Sequence, residues 1–196
     1  MSKAPKIHNA DSAIAAKVEM RRNVLNALTP EKSIVFDAFS GPGEMYNAVW
    51  NEAAGYVGCD EQWFNDDRTC YAADNRRVMR CIDLQPFTVF DLDAFGSPWD
   101  QVTILAARRR LRPGERVGVL LTQGDTKTTR YRGSNAMLQL AGIRIPLGNE
   151  RRYWEAAARA YEHMARQMGG RIVKHWKADG VSQLIVRYTA LVIDAN

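Results

Sequence analysis

The chain has 196 residues, 46% of them hydrophobic and 25% charged, a length and balance that suit one α/β domain with its own core. A disordered chain or a disulfide-stapled mini-protein is excluded. The net charge of +5 fits a polyanionic partner such as nucleic acid, although many basic proteins bind none.

The cysteines Cys59, Cys70 and Cys81 form no CxxC pair, and His8, His163 and His175 are scattered, so no metal site is expected. An odd cysteine count, no apolar leader and no spanning run predict a cytoplasmic protein without a membrane partner.

Asp11 to Leu28 places Ile14, Val18, Val24, Leu25 and Leu28 on an approximate helical stripe, with Thr29-Pro30 as its stop. This N-terminal part, 1–32, reads as a helical extension of a single domain covering 1–196. Ser33 to Phe39 is a short buried strand, broken by Gly41, Pro42 and Gly43, and a helix from Glu44 to about Ala54 follows. A second strand, Tyr56 to Cys59, ends at Asp60. Asn65 to Asn75 is expected to be helical and Arg77 to Ile82 a third strand.

Phe87 to Leu92 is a fourth strand, followed by a helix from about Pro98 to Leu111 and a fifth strand from Arg116 to Thr122. Gly124 to Asn149 breaks the rhythm and reads as an insertion with one short helix around Ala136 to Leu140. Glu150 to Met168 is a strong helix ended by Gly169-Gly170. Arg171 to Trp176 and Gln183 to Val192 close the chain as two strands joined through Asp179-Gly180. The alternation predicts a Rossmann-like, doubly wound, mostly parallel sheet with a C-terminal antiparallel hairpin strand. Ligands of such sheets bind beyond the carboxyl ends of the strands.

The first strand runs into Asp37-Ala38-Phe39-Ser40-Gly41-Pro42-Gly43. Two glycines let backbone approach a ligand closely. Tyr46 stands where a dinucleotide loop needs its third glycine, and Pro42 removes an N–H that pyrophosphate would use, so a ligand without phosphates fits better. Asp60, about twenty residues on, can accept both hydroxyls of a ribose. Asp83, after the expected third strand, can receive an adenine amino group. A turn without a ligand and ordinary surface acids are the plain alternatives.

DAFSGPG (Asp37 to Gly43), GCD (Gly58 to Asp60) and the alternating order resemble class I S-adenosylmethionine-dependent methyltransferases over about Ser33 to Thr122. The resemblance implies S-adenosylmethionine as cofactor, with Asp37, Phe39, Gly41, Gly43, Asp60 and Asp83 around it. DLDAFGSPW (Asp91 to Trp99) resembles the motif of enzymes that methylate exocyclic amino groups of bases. Its spelling is closest to the tRNA guanine dimethyltransferases, with Ala94 where they carry proline. By that resemblance Asp93 and Phe95 are catalytic: Asp93 accepts the amino hydrogens and Phe95 stacks on the base. The alternative is a strand-end turn with Asp93 as helix cap and Phe95 in the core. Trp99 reads as packing.

In the insertion, Lys127, Arg130 and Arg132 can contact phosphates while Tyr131 stacks, as on a single-strand RNA or DNA surface. No separate recognition domain fits in this length, so the substrate is structured or single-stranded, or a partner protein supplies recognition. Two further readings stay open: a nucleic-acid-binding or regulatory protein on a degenerate scaffold, and methylation of a small molecule or protein.

Overall fold

The computed structural model describes residues 11–124, 126–179 and 186–196. Helix α1 (Asp11–Leu28) precedes β1 (Ile34–Asp37), α2 (Glu44–Ala48), β2 (Gly55–Asp60), β3 (Cys70–Ala72), α3 (Asn75–Cys81) and β4 (Val89–Leu92). Then come α4 (Trp99–Arg108), β5 (Arg116–Gln123), α5 (Lys127–Arg132), α6 (Asn135–Ala141), α7 (Glu150–Gln167), β6 (Gly170–Asp179) and β7 (Arg187–Ala195). The strands form one sheet in the order β3-β2-β1-β4-β5-β7-β6. Its first five members are parallel, and β7 is antiparallel to both β5 and β6. The expected sheet and closing hairpin are present; Gly180 and residues 183–185 lie outside the described residues.

Two apolar layers sandwich the sheet. Trp99, Val102 and Leu105 of α4, Met137 and Leu140 of α6, and Tyr153, Ala157 and Met164 of α7 cover one face. Met20, Val24 and Leu25 of α1, with Met45, Val49 and Trp50, cover the other. Helix α1 crosses β5 at Gly118, where a Cβ would stand 2.2 Å from Cγ1 of Val24. Only glycine lets the helix lie that close, and the approach carries the start of α1 towards the carboxyl ends of β4 and β5.

Three expectations are corrected. Arg77 to Ile82 is helix α3 rather than a strand, because Asp74 accepts the Arg76 N–H and starts a helix there. The third strand is β3, upstream, within the stretch expected to be helical from Asn65 to Asn75. The region 124–149 contains two short helices instead of one, each started by a side-chain cap: Thr126 on the Thr129 N–H and Ser134 on the Met137 N–H. Met137 and Leu140 of the second are buried, so this stretch adds to the core as well as following β5.

Candidate active site

Strands β2, β1 and β4 are neighbours, and Asp37 sits in register between Gly58 of β2 and Asp91 of β4. The acids at their ends therefore share one edge of the sheet. Beyond β1 the chain turns through Gly41 (φ 46°) and Gly43 (φ 90°), left-handed values that glycine adopts without strain. Asp37 underlies this turn. It is buried, its Oδ1 accepts the Phe39 N–H at 3.1 Å, and the Tyr56 hydroxyl donates to its Oδ2 at 3.1 Å. Asp37 thus braces the glycine turn from within rather than facing outward, and Phe39 packs its ring partly against the core.

Asp60 is the outward acid. Its Oδ2 accepts the Gly41 N–H at 3.1 Å and its Oδ1 the Gln62 N–H at 2.8 Å. Each oxygen keeps a lone pair for a ligand hydroxyl. Arg68, which sequence reasoning missed, spans the turn, donating to the Gly41 carbonyl at 2.8 Å and the Ser40 carbonyl at 3.2 Å. Asp66 holds it there. Nothing in its spacing marks Arg68; only the path of the loop after Asp60 brings it back over the glycines.

Asp83 stands elsewhere. It follows α3, accepts the Gln85 N–H at 2.9 Å, and Gln85 reaches the Arg108 carbonyl at the last turn of α4. Helix α4 returns the chain from the end of β4 to the start of β5, so this corner belongs to the amino ends of the strands, opposite the other acids. The expected adenine contact is corrected accordingly: the position beyond the third strand belongs to Ala73 and Asp74.

At the end of β4 the sheet buries charge. Arg21 of α1 donates to both oxygens of Asp91, at 2.7 and 2.9 Å, and to Oδ2 of Asp93 at 2.9 Å. The Trp50 indole N–H adds a bond to Asp91 at 2.8 Å. Lys17, one turn before Arg21, meets Asp93 Oδ2 at 2.9 Å. Burial pushes the Asp93 carboxyl up, but Arg21 and Lys17 outweigh it and hold Asp93 below the usual carboxylate range. Asp37 goes the other way: burial and the nearby Asp91 charge raise it to about 8. Asp91 and Asp93 thus face Arg21 and Lys17, with a protonated Asp37 beside them at neutral pH.

The sign of the resulting pH dependence follows. Between about pH 4 and 8 native Asp37 keeps a proton that the unfolded chain releases, so stability falls as pH rises through this window and levels off above it. The slope is at most about 1.4 kcal/mol per pH unit. Asp37→Asn, which keeps the shape without the titration, is expected to remove that component. Urea unfolding at a series of pH values measures it; equal slopes in the two proteins would refute the buried proton.

Phe95 is 92% exposed, whereas Trp99 is 1% exposed and stacks on Tyr161 at 5.4 Å. The core reading of Phe95 is overturned and the packing reading of Trp99 holds. Asp93 does not cap α4, whose N-cap is Pro98 without a side-chain bond. The Gly124 N–H donates to the Gly96 carbonyl at 2.8 Å and ties the Phe95 loop to the end of β5.

In α5, Tyr131 and Arg132 are exposed. Arg130 is 7% exposed and pairs with Glu150 at 3.4 Å, so its expected phosphate contact is corrected to a tie between α5 and α7. The side chain of Lys127 lies outside the described residues. No helix among the described residues is long and apolar enough to cross a membrane.

Among solved structures the chain is similar to Trm1 from Pyrococcus horikoshii in complex with S-adenosyl-L-methionine, at 20% identity and a TM-score of 0.61. The match covers 98% of this chain and 59% of that one, so this chain spans less than two thirds of its length. It is also similar to TYW2 of M. jannaschii in complex with AdoMet, at 9% identity, a TM-score of 0.60, and 97% and 80% coverage. A third is an rRNA methylase from Streptococcus thermophilus, at 13% identity, a TM-score of 0.51, and 98% and 100% coverage. No protein-family model matches the chain, and no curated protein matches it by sequence. The strand order and these neighbours together give the chain the fold of the class I S-adenosylmethionine-dependent methyltransferases.

Proposed function

We propose that the chain is an S-adenosylmethionine-dependent methyltransferase that acts on the exocyclic amino group of a nucleobase, in RNA ahead of DNA. One observation carries the reading: an almost fully exposed Phe95 follows, two residues on, a recessed Asp93 that two cations keep ionised. An aromatic ring bare to solvent, two residues beyond an acceptor-only carboxylate, is the pairing that a base with an amino group calls for. RNA is favoured over DNA because one structural neighbour is an rRNA methylase.

The residues fit the cofactor. Asp60 offers lone pairs to ribose hydroxyls, the turn at Gly41 and Gly43 keeps Cβ atoms out of the way, and Asp74 replaces Asp83 as the acid beyond the third strand. When bound, the cofactor supplies an activated methyl group. Asp93 then has one task, to accept the amino hydrogens and turn the nitrogen lone pair towards that methyl. A carboxyl held below its usual range retains no proton near pH 7, so Asp93 orients the amine and the departing proton passes to solvent. Phe95 stacks on the base, a contact worth about 1–3 kcal/mol. Tyr131 and Arg132 extend the surface towards the nucleic acid.

The test is to incubate the protein with methyl-labelled cofactor and separate pools of unmodified RNA transcripts, single-stranded DNA, proteins and metabolites. Digestion to nucleosides and mass spectrometry should find the label on an exocyclic nitrogen in RNA. Label confined to protein or metabolites would overturn the substrate class. Cofactor affinity without transfer to any pool would favour the degenerate scaffold.

A further inference from the structure

The two oxygens of Asp93 have unlike surroundings. Oδ2 receives Lys17 Nζ and Arg21 Nη2, both at 2.9 Å. Oδ1 is buried and has no partner at hydrogen-bonding geometry among the described residues, although the Thr122 hydroxyl, a neutral donor, faces the carboxylate. A buried acceptor left unfilled is costly, so native structures keep few of them without a use.

Lys17 is itself held in place. Its side chain is 12% exposed, and its ammonium lies 5.7 Å from the centre of the Tyr188 ring. Arg21 is anchored by the fork onto Asp91 and by a bond to the Lys17 carbonyl at 3.0 Å. Spaced four residues apart on α1, the two cations approach Asp93 from one side and meet at a single oxygen.

We propose that Lys17 is a positioning residue for methyl transfer: together with Arg21 it fixes Asp93 through Oδ2 and reserves Oδ1 as the acceptor for an N–H donor of the substrate. The inference rests on the role proposed for Asp93 above. Without the cations the carboxylate can turn about its own bond and present either oxygen. With them, acceptor capacity has one address, which matches a primary amine that must hold still while its lone pair is aimed. The groups facing Asp93 are Lys17 and Arg21 from α1, Asp91 from its own strand, Asp37 from β1, Thr122 from β5 and Tyr188 from β7. Among these the two α1 residues are the cations.

The experiment compares the full chain with Lys17→Met and Lys17→Arg. Carbon NMR of protein labelled at the aspartate carboxyls, with Asp93 assigned through Asp93→Asn, follows the titration of that group. Lys17→Met should move it upward by about one pH unit, and Lys17→Arg should restore it. With unmodified tRNA and rRNA transcripts as probe, Lys17→Met should lower kcat about tenfold and move the acid limb of the pH profile in the same direction. Lys17→Arg should recover both. A Lys17→Met protein that merely melts earlier, with its Asp93 titration and acid limb unmoved, overturns the proposal. If the wild-type protein methylates no transcript, the substrate reading falls, while the carbon titration still decides whether Lys17 governs Asp93.

Discussion

Asp93→Asn is expected to lower kcat by about 10²–10³-fold while S-adenosylmethionine affinity stays within about threefold. The amide preserves shape but loses the charge, and with its oxygen held by Lys17 and Arg21 its NH2 stands where Oδ1 accepted, so the substrate amine meets a donor. Asparagine is preferable to alanine because Oδ2 carries both Lys17 and Arg21, and truncation would leave two recessed cations without a partner. Phe95→Ala separates binding from chemistry: its ring is 92% exposed, so its removal should raise KM for RNA and leave the fold intact. Filter assays of labelled RNA and calorimetry with the cofactor measure both effects. Full activity in Asp93→Asn would remove Asp93 from the reaction.

How far the sequence reveals this site depends on the kind of signal each residue leaves. Strands β1, β4 and β5 are apolar runs that end in acid or glycine, and they were legible because a buried parallel strand is apolar along its whole length. Strand β3 is three residues long and partly exposed, too short for any period to form. Its place was taken by the next segment with apolar content, Arg77 to Ile82, although the Asp74 cap already marked that segment as a helix. Moving the strand carried Asp83 with it, and one misplaced element thereby moved one site residue to the wrong end of the sheet.

Arg130 leaves a misleading signal for a different reason. A cation in a loop rich in threonine and glycine looks like a phosphate contact, and only tertiary packing brings Glu150 against it. Lys17 and Arg21 were missed although they left a trace. Met20, Val24 and Leu25 lie on the buried side of α1, and Arg21, 3% exposed, sits among them. An arginine within an apolar stripe requires a buried carboxylate opposite, and Asp91, inside the apolar run of β4, was the candidate in view.

The same pair sets the second large effect, on folding. Arg21→Met should cost about 3–5 kcal/mol, because it leaves Asp91 fully buried with the Trp50 N–H as its remaining donor among the bonds described. Stabilities of natural domains are about 5–15 kcal/mol, so the loss is a large share of the whole and should appear as a melting temperature lower by about 6–20 °C. The deficit also has a sign in pH. Burial already pushes Asp91 upward against the pull of Arg21, and without the cation the native carboxyl takes up a proton that the unfolded chain has released. The variant should therefore be closest to wild type near pH 5 and furthest from it near pH 8. Combining Arg21→Met with Asp91→Asn removes the stranded charge and should recover much of the loss, since a pair deleted together leaves little behind to desolvate. Thermal and urea unfolding of the single and double variants at both pH values decide the matter. A deficit under about 1 kcal/mol, or one that does not grow with pH, would mean that the buried fork contributes little to holding α1 on the sheet.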